Sequence, residues 1–373
     1  MSARRVAIVT GTRAEFGLLT PVMCAVDAHE DLDLLVVAGG AHLLGDPPTL
    51  QEVEARFAVA QSVPMQLDAR TGRLADARAL GRGVTGFADA FDALGAHVVV
   101  VLGDRIEAFA AASAAGVMGV PVAHLHGGDV AEGVADEAMR HAITKLAHLH
   151  LPATESSATR IARMGEPVWR IHTVGSPAAD VVRTTPVLDE ARWNELGTPE
   201  IVVLQHPCGL QENEEAAYAR AIAEATQGRR TLWLAPNHDP GREHVEAVRR
   251  GSGATLVDHL PSMHFTGMLK RLAMSGGVLV GNSSCALIEG ALLGLRCVDI
   301  GPRQGGRERC GNVVHVDGAD PGAVLSGITR TRSLQRDASE HPYGDGFTGE
   351  RVADLLLRLD FSDPCWLRKR NAY

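Results

Sequence analysis

The chain has 373 residues, 36 Lys and Arg against 45 Asp and Glu, and a net charge of −9. An acidic chain that is 45% apolar and 22% charged has a globular composition and lacks the basic footprint of a dedicated nucleic-acid binder. No apolar stretch approaches the ~18 residues of a membrane span, and the six cysteines form no CxxC pair of the kind that binds zinc.

The first apolar run is too short for a signal peptide and ends in Arg13 and Glu15, so none is expected. The expectation is a soluble cytoplasmic protein with reduced thiols. In chain order, strands are predicted at Val6–Val9, Leu34–Val37, Val98–Leu102 and Val120–Leu125. Helices are predicted from about Leu18, from Thr49, over Gly86–Leu94, from Glu107 and over Asp136–Ala147. The polar segment Thr184–Pro199 reads as a domain boundary. Beyond it, strands are predicted at Ile201–Leu204, Thr231–Leu234, Thr255–Val257, Val278–Val280 and Cys297–Ile300. Helices are predicted between them at Asn213–Thr226, Arg242–Arg250 and Ser284–Leu293, and again from about Phe347, where Leu355, Leu356, Leu357 and Leu359 form a stripe. Alternating strands and helices mean βαβ units and parallel sheets. The expected architecture is α/β, with two Rossmann-like parallel-sheet domains facing a cleft. The first covers residues 1–183 and the second 184–354, with a helix and tail over 355–373.

In open parallel sheets, ligands bind outside the carboxyl ends of the strands. Unusual polar groups recur at those ends. They are Gly11-Thr12-Arg13-Ala14-Glu15-Phe16-Gly17, Gly103-Asp104-Arg105, His126-Gly127-Gly128-Asp129 and Gln205-His206-Pro207, then Asn237-His238-Asp239, Gly281-Asn282-Ser283-Ser284 and Gly301-Pro302-Arg303-Gln304-Gly305-Gly306-Arg307. One such cluster is what any loop gives; seven at one end of seven strands read as an active site.

Asn282, Ser283 and Ser284 open a predicted helix, whose free N–H groups and hydroxyls suit an anion. The plainer reading is an N-cap serine. Glu289, about one and a half turns in, is placed for a carboxylate that could reach ribose hydroxyls, and guanidinium groups such as Arg303 and Arg307 suit a diphosphate; the plainer reading of all three is a solvated surface. The first loop is neither GxxxxGK[ST] nor GxGxxG, which argues against a P-loop NTPase or a dinucleotide dehydrogenase. Asp136 and Arg140 are spaced to pair on one helix face. Asp104, His126 and Asp129 sit at neighbouring strand ends, where convergence shifts pKa values toward acid–base work. His124, His126 and Asp129 lack a further ligand at a recognised spacing, so neither metal nor cofactor is expected.

These motifs together resemble the hydrolysing UDP-N-acetylglucosamine 2-epimerases. The resemblance rests on Val9–Leu19, Leu102–Arg105, His124–Asp129, Asp136–Leu146, Val174-Gly175-Ser176-Pro177, Gly281–Ser284 with Ile288-Glu289, and Ile300–Arg307, in order over residues 5–360. It implies a glycosyltransferase-B type fold and a nucleotide-sugar substrate, with a homodimer or homotetramer as the assembly. It also implies anti elimination of the nucleoside diphosphate to a 2-acetamidoglycal, followed by hydration to an N-acetylmannosamine-type sugar. The residues carried over as acid–base apparatus are Asp104, Asp136, Arg140 and His206, with His126 and Asp129 beside them. The nucleotide set is Arg13, Arg105, Asn237, Asn282, Ser283, Ser284, Glu289, Arg303, Gln304 and Arg307. Two departures stand out: His126 replaces the Glu of many members' His-x-Glu-Gly-Gly motif, and Cys208-Gly209-Leu210-Gln211 replaces a hydroxyl-rich run after His206-Pro207. The alternative is an enzyme of the same scaffold for another nucleotide or phosphorylated sugar, including glycosyl transfer.

Overall fold

Val98-Val99-Val100-Val101 is buried on both faces, as a strand of a parallel sheet covered by helices must be. A computed structural model describes residues 3–45, 48–67, 72–131, 137–237, 239, 241–334, 338 and 340–372. Within them lie two six-stranded sheets, each with every strand pair parallel. The first holds β1 (Arg4–Thr10), β2 (Leu32–Gly39), β3 (Val59–Val63), β4 (Val98–Leu102), β5 (Val122–Leu125) and β6 (Leu149–Leu151), in the order β3-β2-β1-β4-β5-β6. The second holds β7 (Ile201–Leu204), β8 (Thr231–Leu234), β9 (Thr255–Val257), β10 (Val278–Gly281), β11 (Arg296–Ile300) and β12 (Val313–Val316), in the order β12-β11-β10-β7-β8-β9. Each is the doubly wound Rossmann order, whose strand sequence reverses between β1 and β4 and between β7 and β10. The expected α/β class, with two Rossmann-like sheets of glycosyltransferase-B type, is observed.

The chain divides into two compact units. One comprises residues 1–129, 136–180 and 342–373; the other comprises 130–135 and 181–341. In the first, alternate residues of β1 and β4 feed two cores. Val6, Ile8, Val98 and Val100 pack with Leu19, Met23, Val352 and Leu356, from helices Arg13–Asp27 and Thr348–Arg358. Ala7, Val9, Val99 and Val101 pack with Phe87, Phe91 and Ala111, from helices Arg73–Leu94 and Ile106–Met118. Asp180 caps the helix Thr348–Arg358 by accepting from the Thr348 and Gly349 N–H groups at 3.0 and 2.9 Å. That cap holds the last helix of the chain within the first unit. The second unit repeats the scheme, with Leu204, Leu232 and Leu279 on one side of its sheet and Val203, Trp233 and Val280 on the other.

Local structure departs from expectation in several places. The first helix begins at Arg13, not Leu18, because Thr12 and Glu15 form a capping box. The strands β3, β6 and β12 were not predicted; each is an edge strand, and each is short, at three to five residues. The boundary segment carries a short helix, Glu190–Glu195, fixed by buried Trp193. The predicted helix Ser284–Leu293 is instead a 3₁₀ turn, Ser284–Ala286, followed by a single α-turn, Glu289–Leu292. Among the described residues, no helix is long and apolar enough to cross a membrane.

Candidate active site

At the carboxyl ends of β4 and β5 in the first unit, Arg140 is the hub. This residue is buried, on the helix Glu137–Leu146. Its guanidinium donates to the Asp104 carboxylate, to the Asp129 carbonyl at 3.1 Å and to the Glu137 carboxylate at 3.2 Å. A planar fork suits this work, since several acceptors are met at once in a fixed geometry. Asp136, the predicted partner of Arg140, lies outside the described residues; Glu137 is paired with Arg140 at i, i+3.

Asp129 is held from both oxygens. His126 Nδ1 lies 2.8 Å from Oδ2, and the Ser157 hydroxyl donates to Oδ1 at 2.7 Å. The other ring nitrogen of His126 lies 3.1 Å from the Ser176 hydroxyl. His126 has a φ of +59°, a left-handed conformation uncommon outside glycine. Its two ring contacts hold it there. Gly128 explains the double glycine. Its φ is +75°, and a Cβ would meet the Ser157 carbonyl oxygen at 2.3 Å. His124 is fully buried, and its Nε2 donates to the Gly103 carbonyl at 2.8 Å. Burial lowers its pKa to about 3, so it is a neutral strut.

Under the first loop lie two buried carboxylic acids. Glu15 accepts from the Gly11 and Thr12 N–H groups at 3.0 and 3.2 Å. Burial, with the neighbouring charge of Glu107, raises its pKa to about 8. Glu107 has no exposed surface, and a Cβ on Gly11 would stand 2.5 Å from its side chain. Arg13 pairs with Glu52 at 3.7 Å, and Arg105 with Glu107 at 3.7 Å.

In the second unit the strand order reverses between β7 and β10, and there Asn282 meets His206. The Asn282 side chain accepts from the His206 N–H at 2.7 Å and donates to its carbonyl at 2.8 Å. In turn, the Asn282 carbonyl accepts from Gln304 Nε2 at 2.8 Å and Arg303 Nη1 at 3.4 Å. The Asn237 N–H donates to His206 Nδ1 at 3.1 Å, which puts the ring proton of a neutral His206 on Nε2. Burial, with Arg303 as a like-charged neighbour, holds the His206 pKa well below its ordinary value. Asn237 also donates to Asp239, which faces Arg303 at 3.8 Å. Arg307 donates to the Val130 carbonyl at 2.9 Å, within the second unit. Ser283 caps the 3₁₀ turn through the Cys285 N–H, while Ser284 and Glu289 remain partly exposed.

The structure therefore gathers Asp104, His126, Asp129 and Arg140 in one network, and His206, Asn237, Asn282, Arg303 and Gln304 in another. Sequence reasoning missed Glu137, Ser157 and Ser176. It also missed Glu215, which accepts from the Cys208 and Leu210 N–H groups at 2.6 and 3.0 Å and shapes the loop after His206. Asp299, which accepts from Arg309 at 2.7 Å and so secures the arginine loop, was missed too. Two local signals were there to read: the i, i+3 spacing of Glu137 and Arg140, and the Thr12–Glu15 capping box. Among the described residues no cluster of three or more His, Cys, Asp or Glu suits a metal ion.

A family model described as UDP-N-acetylglucosamine 2-epimerase matches residues 24–357. The chain is 33% identical to the UDP-N,N'-diacetylbacillosamine 2-epimerase (hydrolyzing) of Legionella pneumophila, over 99% of this chain and 100% of that protein. It is 30% identical to a UDP-N-acetylglucosamine 2-epimerase of Neisseria meningitidis, over 95% of each. Its fold is similar to that of the Methanocaldococcus jannaschii UDP-GlcNAc 2-epimerase, solved in complex with UDP-GlcNAc and UDP. The TM-score is 0.77 at 17% identity, over 95% of this chain and 99% of that one. On this agreement along nearly the whole chain, it belongs to the UDP-N-acetylglucosamine 2-epimerase family, whose hydrolysing members its motifs resemble, and is a UDP-sugar 2-epimerase.

Proposed function

We propose that the chain is a hydrolysing epimerase, converting a UDP-linked 2-acetamido sugar and water to UDP and the free C2-epimeric sugar. The observation that carries the reading is the buried Arg140 fork, which ties Asp104 to Asp129 and its partner His126. It holds titratable groups at the ends of two adjacent strands, as proton transfer at a carbon acid requires. In the first step a base removes the C2 proton. The C–H electron pair forms the C1–C2 double bond, the bond from C1 to the diphosphate oxygen breaks, and UDP departs with its oxygen. In the second step water adds, with hydroxyl to C1 and a proton to C2 from the opposite face.

In this reading the N-terminal half supplies the sugar chemistry, through Asp104, Asp129 and Asp136, with His126 orienting Asp129. Residues 184–354 supply the nucleotide contacts, through Asn237, Ser283, Ser284, Glu289, Arg303, Gln304 and Arg307, with Arg13 and Arg105 added from the first half. His206 serves as an Nε2–H donor, and Asn282 supports it. The Legionella relative favours a second substrate, the 2,4-diacetamido analogue, since that protein is named a UDP-N,N'-diacetylbacillosamine 2-epimerase.

The test is incubation with UDP-N-acetylglucosamine, and separately with UDP-N,N'-diacetylbacillosamine, in deuterated water, followed by phosphorus and proton NMR. The expected result is UDP with a free sugar deuterated at C2. Whichever substrate turns over identifies the sugar. Product without deuterium at C2 would exclude C2 deprotonation, and an epimerised sugar still linked to UDP would exclude hydrolysis.

A further inference from the structure

A cavity of about 220 Å³ lies at the amino-terminal edge of the second sheet, where β7, β10 and β11 begin. Because the strands are parallel, this is the edge opposite the one that carries His206 and Asn282. Four guanidinium groups line it: Arg229 and Arg230 just before β8, Arg296 at the start of β11, and Arg332 after the helix Pro321–Arg330. One carboxylate, Glu200, stands against them.

The charges are not balanced internally. Glu200 pairs with Arg230 at 2.7 Å, and Arg230 also donates to the Thr198 carbonyl at 3.0 Å. Arg296 donates to the Gly276 carbonyl at 3.1 Å. Among the described residues, the Arg229 and Arg332 side chains have neither a hydrogen-bond nor an ion-pair partner. Four like charges around one concavity repel one another, and an acidic chain of net charge −9 has carboxylates in surplus to place there. The folding pattern instead leaves a cationic recess.

We infer that this cavity is an anion-binding site for a compact, multiply charged phosphate, of the inorganic pyrophosphate class, separate from the epimerase site. Arginine forks match phosphate oxygens bidentately. The volume decides the ligand class. Pockets for drug-sized molecules run to about 300–1,000 Å³, so this smaller cavity suits one or two phosphate groups better than a second nucleotide sugar. The inference does not depend on which sugar the enzyme uses.

The experiment is calorimetric titration of the full-length protein with inorganic pyrophosphate, and with orthophosphate as the singly phosphorylated control. Three variants accompany the wild type: Arg229→Gln/Arg332→Gln, Arg229→Lys/Arg332→Lys, and Arg303→Gln/Arg307→Gln. Saturable binding of pyrophosphate is expected, tighter than that of orthophosphate. The glutamine pair at the cavity should weaken it about tenfold or more, as losing two charged donors requires. The lysine pair should retain most of it, and the pair in the arginine loop should leave it in place. Absence of saturation below roughly 10 mM would overturn the inference. So would binding lost only with Arg303 and Arg307, or lost equally in the two glutamine pairs. Turnover of the UDP-sugar by the cavity variants should match wild type, because neither residue lies among the groups proposed for that reaction.

Discussion

The side-chain amide of Asn282 brackets the backbone of His206, accepting its N–H at 2.7 Å and donating to its carbonyl at 2.8 Å. Both ends of the amide are thereby committed to protein, and Nδ2 also reaches Cys208 Sγ at 3.3 Å. Asn282 has no exposed surface. Its position between the His206 loop and the arginine loop supports a positioning role for Asn282 in the proposed reaction, beside the phosphate contact that the family resemblance implies. Asn282→Ala should leave two backbone groups unsatisfied and cost about 1–3 kcal/mol, read as a lower thermal midpoint. Turnover should fall more than UDP affinity. A larger loss of affinity than of turnover would return Asn282 to the phosphate.

The tautomer of His206 is checked directly. With Nδ1 accepting from the Asn237 N–H and burial disfavouring the charged ring, nitrogen NMR should show a neutral Nε2–H imidazole. The signal should not titrate between about pH 5.5 and 8, the window in which an ordinary histidine does. A titration midpoint near 6.5 would remove His206 as a fixed neutral donor.

Arg140 tests the first network. Arg140→Lys keeps the charge but loses the fork, so it can no longer serve Asp104, Asp129 and Glu137 together. Turnover is expected to fall about a hundredfold or more, as for a group that positions reacting partners, with thermal stability reduced less than by Arg140→Ala. The alanine variant should cost about 3 kcal/mol, the lower end for breaking a buried pair, because Asp104 retains some solvent.

Glu15 sets a pH dependence of stability. Its pKa is about 8 in the folded protein against 4.5 for an ordinary Glu, so the folded state binds the extra proton. The contribution is complete below the lower value and lost as pH rises through about 8. Thermal midpoints of wild type should therefore decline from about pH 5 to 8 relative to those of Glu15→Gln. Glutamine keeps an acceptor for the Gly11 and Thr12 N–H groups and does not ionise. Parallel pH profiles would show that Glu15 is not the responsible group.

Gly128→Ala combines a positive φ of +75° with a Cβ 2.3 Å from the Ser157 carbonyl oxygen. The backbone must shift beside Asp129, and the change should cost more than about 1 kcal/mol. Denaturant unfolding measures it. Gly209→Ala has a similar φ of +73° but open space for the Cβ, so the difference between the two isolates the close approach.

The amino-acid sequence by itself determined the two parallel sheets, the loops that carry the proposed site, and the family. Strand runs such as Val98–Leu102 and Ile201–Leu204 are apolar on both faces, and glycine and polar residues follow them; both signals are local in the chain. The sequence also held the Thr12–Glu15 capping box, which places the first helix at Arg13. Tertiary structure alone decided the partners. His126 meets Ser176 fifty residues on, Arg140 reaches back to Asp104, and Asn282 finds His206 seventy-six residues earlier. Those contacts exist because β4 lies beside β5 and β7 beside β10, an adjacency set by crossover topology and invisible to local spacing. The same rule explains the arginine cavity, whose four side chains come from three separate segments that meet only at the sheet edge. Local spacing also did not show the break in the expected helix over Ser284–Leu293. There the chain keeps its apolar period, but it breaks into a 3₁₀ turn and a single α-turn between β10 and β11.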